Sequence, residues 1–252
     1  MPQQRQATGS FGSQGNYNRL VGTFGPGHTA QGGRFDTTVS DVAPFVAADV
    51  FNKVALLVAM ALVTGIGAAF MHVPAGLAIG AVIVAMIFAI IGMVKPQRAA
   101  IFAPLFALTE GVALGWISRV FSGTNGQVVP LAIIGTSVVF CAVLVAYRTG
   151  LVRVGPTFVR ATVIASFGLL AMMIAAWLGL QLPYTNQGTT MLIVFGVLYL
   201  IIGVMDLFVD FAYVYRAEQA GVSKDGEWFA AMSIMFSVVM IYLALLRILG
   251  GR

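Results

Sequence analysis

The stretch that decides the fold is MLIVFGVLYLIIGVMDLFVDFAYVY, residues Met191 to Tyr215. Its length suits a helix that crosses a bilayer, which requires about 20 predominantly apolar residues. Two aspartates interrupt the stretch, Asp206 and Asp210, and residues four apart lie on one face of a helix. A carboxylate in hydrocarbon costs on the order of 3 kcal/mol. We therefore expect both side chains to face a bundle interior or a water-filled path rather than lipid.

The composition excludes an ordinary soluble protein. Of the 252 residues, 59% are hydrophobic and only 9% are charged, and the mean hydropathy is +0.93. Soluble domains carry about 25% charged residues. The net charge of +5 comes from residues scattered at the ends of apolar stretches, so it does not indicate a nucleic-acid partner. The one cysteine, Cys141, lies inside an apolar stretch and cannot form a disulfide within one chain.

Seven apolar stretches follow a polar N-terminal segment. Residues 1–52 are rich in Gly, Gln and Ser and are predicted to form a disordered cytoplasmic tail. Residues 53–252 are predicted to form a membrane domain of seven spans. The spans run over residues 54–70, 74–94, 99–121, 128–147, 157–180, 191–215 and 228–249. The sequence therefore predicts an all-α integral membrane protein, a bundle of seven transmembrane helices in the lipid bilayer.

Lysine and arginine predict the orientation of these spans. Eleven of the 14 basic residues lie in the tail, at the edge of the first span, or in or next to the second, fourth and sixth connections. The exceptions are Arg119, Arg247 and Arg252. Because basic residues favour the cytoplasmic side, we predict a cytoplasmic N-terminus and a C-terminus outside.

The two aspartates are predicted to form a proton and cation site. Like charges one helical turn apart repel strongly where the dielectric is low, so we expect the pair to hold a shared proton near neutral pH and to titrate as a unit. Such a pair can bind a cation when ionised and release it when protonated. The same helix face carries Tyr199 and Tyr213 as supporting polar residues. The alternative is a pair of protonated acids, bonded to the backbone or to these tyrosines, that only joins helices.

A third acid, Glu110, lies inside the third stretch and is expected to support the aspartates. Its partner is predicted to be an aspartate, the Thr109 hydroxyl or an ordered water. Glycines spaced by four let another helix approach closely. Two such pairs occur, Gly76 with Gly80 and Gly111 with Gly115.

The sequence does not favour an enzyme. An intramembrane aspartyl protease needs its two aspartates on different helices, whereas Asp206 and Asp210 share one stretch. A serine nucleophile at Ser118 would need a histidine, and the two histidines are His28 in the tail and His72 in a loop. A metal-dependent hydrolase is not favoured either, because the apolar stretches contain no histidine ligands. No cofactor is expected, apart from a possible calcium ion bound by the two aspartates.

The order and spacing of several motifs resemble the Bax inhibitor-1 family, and most closely the actinobacterial branch of its bacterial, YccA-like members. The motifs are EGVALG at Glu110–Gly115 in the third stretch, Asp210 late in the sixth, and Trp228 followed by IYLALLRIL at Ile241–Leu249 in the last. The resemblance covers about residues 50–250. It implies a seven-span bundle in a bacterial plasma membrane.

The function that the resemblance implies is a pH-sensitive leak of calcium. In the family an aspartate of the sixth span pairs with an acid of the last, and Asp210 matches the first of these. The position assigned to the second acid reads Ala244, directly after Tyr242 and Leu243, so Asp206 is the candidate substitute. Tyr242 is expected to be a supporting polar residue. Two alternatives stay open: a membrane interaction protein that regulates a protease or stress factor without transport, and a proton-coupled carrier of another solute.

Overall fold

Helices make up nearly all of the chain that the computed structural model describes, which is residues 44–123, 126–177 and 189–250. The helices are α1 Ala47–Phe70, α2 Ala75–Val94, α3 Ala99–Ser122, α4 Val128–Arg148, α5 Pro156–Trp177, α6 Thr189–Gln219 and α7 Gly226–Gly250, with a 3-10 turn at Pro96–Arg98. The predicted all-α bundle of seven helices is confirmed. Most of the predicted tail lies outside the described residues.

The lengths and hydropathies of the helices fit a protein that crosses a membrane several times. Within the residues that the structure describes, six helices are long and apolar enough to span a bilayer. In α5 the apolar helix extends over Pro156–Met172. The predicted multi-pass membrane character is therefore confirmed, and these helices imply contact with lipid. The direction in which the bundle is inserted stays a prediction.

The first helix begins at Ala47, inside the segment predicted to be tail. Two carboxylates hold its N-terminus: Glu227 accepts from the Val46 N–H at 3.0 Å, and Glu218 accepts from the Ala47 N–H at 2.9 Å. Negative charge at a helix N-terminus is favourable because the first N–H groups have no partner within the helix. Val50, in the first turn, is fully buried. Capping by distant residues therefore extends the helix beyond what hydropathy predicts.

The last helix, α7, lies at the centre of the bundle. In its most apolar window 61% of the residues are buried, against 22–33% in the other five span candidates. It contacts α1, α2, α3, α4 and α6, whereas α5 contacts α6 alone among the described helices. The arrangement places α6 between α5 on one side and α7 on the other.

An aromatic cluster fixes the rotation of α6. Phe211 is fully buried, with ring centroids 5.8 Å from Phe51 of α1, 5.5 Å from Phe140 of α4 and 6.4 Å from Tyr147 of α4. Because Phe211 directly follows Asp210, this packing sets the direction in which Asp210 leaves the helix.

Glycines allow α1 and α3 to meet backbone to backbone. A methyl group on Gly111 would overlap the Ala61 carbonyl oxygen of α1, and one on Gly115 would overlap the Gly65 carbonyl oxygen. The predicted close approach at this pair is confirmed. At Gly76 and Gly80 no described atom lies within 4 Å of an added Cβ, so the prediction of a second packing surface there is wrong. Spacing alone cannot tell a glycine pair that faces a helix from one that does not.

Candidate proton and cation site

Asp210 joins α6 to α7 through two serine hydroxyls. Ser233 donates to its Oδ1 at 2.5 Å, and Ser237 donates to its Oδ2 at 2.6 Å. The two serines are four residues apart and so lie on one face of α7. Each oxygen of the Asp210 carboxyl group therefore has its own hydroxyl donor.

Asp206 joins α6 to α5 instead. The Ser166 Oγ lies 2.8 Å from Asp206 Oδ1 and 2.9 Å from Oδ2, and it also lies 2.9 Å from the Thr162 carbonyl oxygen of its own helix. A serine hydroxyl has one proton to donate. When that proton goes to Thr162, the contact with Asp206 is a hydrogen bond only if the carboxyl group carries a proton.

The aspartates lie one turn apart on α6, as their spacing predicts, but they bind different neighbours. Asp206 faces α5 and Asp210 faces α7. From Asp210 to the end of α6 at Gln219 the rise is about 13 Å, so both aspartates lie more than two turns away from the end of the helix. Their hydrogen-bond partners, Ser166, Ser233 and Ser237, were not predicted. The available signal was the presence of hydroxyl residues within otherwise apolar stretches.

The predicted supporting tyrosines of α6 do not bind the aspartates. The Arg247 guanidinium lies over the Tyr199 ring, 4.6 Å from its centroid, which is a cation–π contact between α6 and α7. Tyr213 packs edge to face against Phe229 at 5.7 Å. The helix-joining hydrogen bonds that the alternative interpretation assigned to these tyrosines are made by serines.

Glu110 is partly buried in α3, and the structure gives it no hydrogen bond to another described residue. Thr109, one of its predicted partners, donates to the Leu105 and Phe106 carbonyls of its own helix at 2.8 and 3.0 Å. The aspartates, also predicted partners, are held by serines. The structure therefore does not connect Glu110 to the aspartates by a direct bond.

The depth of Glu110 follows from the register of α3 along α7. Ser118 and Tyr242 share a hydrogen bond of 2.6 Å, and Phe121 packs against Gly250, so the two helices run in the same direction. Glu110 lies about 12 Å before Ser118. That depth corresponds to Ile234 on α7, beside the serines that hold Asp210.

Ala244, the position that the resemblance assigned to the second acid, does not face Asp210. It is fully buried in a cluster with Leu169, Tyr199, Ile202 and Met240. It lies about 10 Å along α7 from Ser237, at 1.5 Å per residue. The Tyr242 hydroxyl binds Ser118 rather than an aspartate. The residues of α7 that face Asp210 are Ser233 and Ser237.

The site has oxygen ligands but no dense cluster of acids. Among the described residues, no group of three or more His, Cys, Asp or Glu side chains comes together. Two carboxyl groups and three serine hydroxyls offer the oxygen donors that Ca²⁺ prefers, and Ca²⁺ takes about six to eight of them. Affinity rises with the number of charged ligands. Because the two carboxyl groups face different helices, each offers a cation a single charged group, which suits weak binding.

A charged contact that the sequence did not predict lies at the end of the bundle where α1 and α7 begin. We call the residues Val46, Ala47, Lys53, Glu218 and Glu227 the latch. Glu227 is fully buried and pairs with Lys53, whose ammonium also lies 5.3 Å from the centroid of the Trp228 ring. The signal in the sequence was an acid directly before the last apolar stretch. The latch ties the start of α1 to the last turn of α6, the helix that carries both aspartates, and to the first turn of α7, the helix that carries Ser233 and Ser237.

A family model described as Bax inhibitor 1 like matches residues 3–251 of the chain. No curated protein matches the chain.

Proposed function

Because the chain belongs to the Bax inhibitor 1 like family, as its motifs predicted, we propose that it lets a cation, Ca²⁺ by preference, leak passively across the membrane under the control of protons at Asp206 and Asp210. The observation that carries the proposal is that one helix, α6, holds two carboxyl groups and attaches each to a different neighbour. A change of protonation at either group therefore changes how α6 is held in the bundle.

The hydrogen-bond donors around the two groups favour one proton for the pair. Asp210 receives a separate hydroxyl proton on each oxygen, which suits an ionised carboxylate. Asp206 shares the single proton of Ser166 with the Thr162 carbonyl, which suits an acid that carries its own proton. The resting state of the leak is then Asp206 protonated and Asp210 ionised.

A cation that binds Asp210 replaces the hydrogen bonds between its carboxylate and the serines of α7. The carboxylate keeps its serine partners while the path is closed. Opening loosens the contact between α6 and α7, so that carboxylate and hydroxyl oxygens replace part of the hydration shell of the ion. Glu110, at the depth of Ser233 and Ser237, adds a third carboxyl group to that level of the bundle.

The test is calcium flux into proteoliposomes at several pH values. The wild type is compared with the double variant Asp206→Asn, Asp210→Asn. We expect a pH-dependent flux that the double variant loses or makes independent of pH. Flux no greater than in protein-free liposomes at every pH, with the fold confirmed by circular dichroism, would reject the leak. If the wild type instead took up another solute in a pH-dependent manner and the double variant did not, a proton-coupled carrier would be the better description of the protein.

The proposed charge states also predict unequal losses of stability. Replacing Ser233 and Ser237 by Ala removes hydrogen bonds to a charged group, which contribute about 1.5–3 kcal/mol each, whereas neutral bonds contribute about 0.5–1.5 kcal/mol. We expect the Ser233→Ala variant to lose more unfolding free energy than the Ser166→Ala variant. Unfolding in detergent at neutral pH measures both. Equal losses would contradict the assignment of the proton to Asp206.

A second candidate function is a membrane interaction protein that regulates another membrane protein without transport. It is favoured by the closed hydrogen bonding of Asp210, both of whose oxygens already have donors. In that case the aspartates only join helices. Their Asn variants are then expected to reduce stability, and the wild type shows no calcium flux. The flux experiment above separates the two functions.

A further inference from the structure

The segment at which α1 begins lies along the connection between α6 and α7. We call Pro44–Ala47 the strap; its last two residues also belong to the latch. The Phe45 N–H donates to the Val222 carbonyl at 2.9 Å, and Pro44 forms an antiparallel bridge with Ser223. Phe45 is 2% exposed, and its ring lies 3.6 Å from the position of a Cβ on Gly226, the first residue of α7. The strap is therefore packed onto the connection.

The strap binds α6 and α7 at the same time. Its Ala47 N–H donates to Glu218, in the last turn of α6, and its Val46 N–H donates to Glu227, in the first turn of α7. Consecutive N–H groups of one short segment thus hold the end of one helix and the start of the next. The strap has a fixed support, because α1 meets α3 backbone to backbone at Gly111.

Farther along the same two helices, glycines bring α6 and α7 close together. A Cβ added to Gly203 would lie 3.0 Å from the Ile241 side chain, and one added to Gly196 would lie 2.8 Å from the Ile248 side chain. We call these two glycines the glycine seam. Asp210 follows Gly203 by seven residues, as Gly203 follows Gly196, and residues seven apart differ by only about 20° around a helix. The bonds from Asp210 to α7 therefore lie between the glycine seam and the strap.

We propose that the strap is an autoinhibitory clasp, which holds the end of α6 against the start of α7 and, when it leaves, lets them separate about the glycine seam. The proposal rests on the leak proposed above, in which opening loosens the contact between α6 and α7 at Asp210. The glycine seam is a contact within the two helices, whereas the strap is a separate segment that can leave. Water can take the place of its bond to Val222, which is exposed. Displacement of Phe45 also withdraws the adjoining Val46 and Ala47 N–H groups, so one event frees both helices.

The first experiment locks the strap with a disulfide. Pro44→Cys and Ser223→Cys are combined with Cys141→Ala, which removes the single native thiol. Bridge partners in antiparallel strands have Cα atoms about 4.5–5.5 Å apart, within the roughly 4.4–6.8 Å that a disulfide spans. In proteoliposomes we expect the oxidised protein to lose its calcium flux and dithiothreitol to restore it. The Cys141→Ala protein alone is the control and should leak equally with and without dithiothreitol.

The second experiment weakens the strap and measures helix opening without any ion. Phe45→Ala removes the buried ring, and Phe70→Ala, at the far end of α1 where the ring is 79% exposed, is the matched control. Hydrogen–deuterium exchange of the full chain in liposomes reports local opening. For Phe45→Ala we expect exchange that is faster by about tenfold or more at the end of α6 and the start of α7, and unchanged at the glycine seam. Phe70→Ala should exchange like the wild type.

Either of two results would overturn the proposal. The first is an equal calcium flux before and after reduction of protein that mass spectrometry shows to carry the disulfide. The second is equal exchange of Phe45→Ala and Phe70→Ala at the end of α6. A failure of the leak itself looks different, because then no protein carries calcium above the level of protein-free liposomes in either redox state. In that case the exchange experiment still decides whether the strap holds α6 to α7.

Discussion

Lys53→Met is expected to lower the free energy of unfolding by about 3–5 kcal/mol, because removal of one partner leaves the other buried charge uncompensated. The Glu227 side chain is 0% exposed and the Lys53 side chain 15% exposed. Glu227 also accepts the Val46 N–H, so the carboxylate cannot turn toward water without uncapping α1. Unfolding of the detergent-solubilised protein measures the loss.

A matched control and a double variant test the physical cause. Lys224 pairs with Asp49 at 3.8 Å, and both side chains are about half exposed. Exposed pairs contribute about 0–1 kcal/mol, so Lys224→Met should change stability little. Adding Glu227→Gln to Lys53→Met removes the uncompensated charge and should recover much of the loss. Equal effects of Lys53→Met and Lys224→Met would show that the buried pair does not stabilise the latch.

Gly111→Ala is expected to cost about 1–3 kcal/mol or more, the range for overpacking a closely packed contact. The added methyl group would overlap the Ala61 carbonyl oxygen and lie 2.8 Å from the Ala61 Cα. These are backbone atoms of α1, which cannot turn aside as a flexible side chain can. The helices must separate, which also disturbs the α3 segment that carries Glu110.

Gly80→Ala is the control for this substitution. Gly80 belongs to a glycine pair with the same spacing, yet no described atom lies within 4 Å of its added Cβ. Alanine is favoured over glycine within a helix by about 1 kcal/mol, so Gly80→Ala should leave stability unchanged or raise it. Thermal unfolding of both variants decides the question. A loss as large as that of Gly111→Ala would mean that α2 packs more tightly than the structure shows.

The sequence was sufficient for the helices and the family because both depend on local patterns. Apolar stretches of bilayer length gave seven helices, and ordered motifs gave the family. The ends were less accurate: α1 begins at Ala47 because Glu218 and Glu227, more than 170 residues away, cap it. The two aspartates were identified as candidates because a carboxyl group in hydrocarbon requires a partner.

Only the tertiary structure decided what each residue faces. The hydropathy of the central α7 is 2.4, within the range of 1.7 to 2.9 for the other span candidates. In a membrane a residue that faces lipid and one that faces the core are equally apolar, so composition cannot identify the buried helix. The sequence likewise did not identify Ser166, Ser233 and Ser237 as the partners of the aspartates. Which hydroxyl meets which carboxyl group depends on how α6 is rotated between α5 and α7, and side-chain packing around Phe211 sets that rotation.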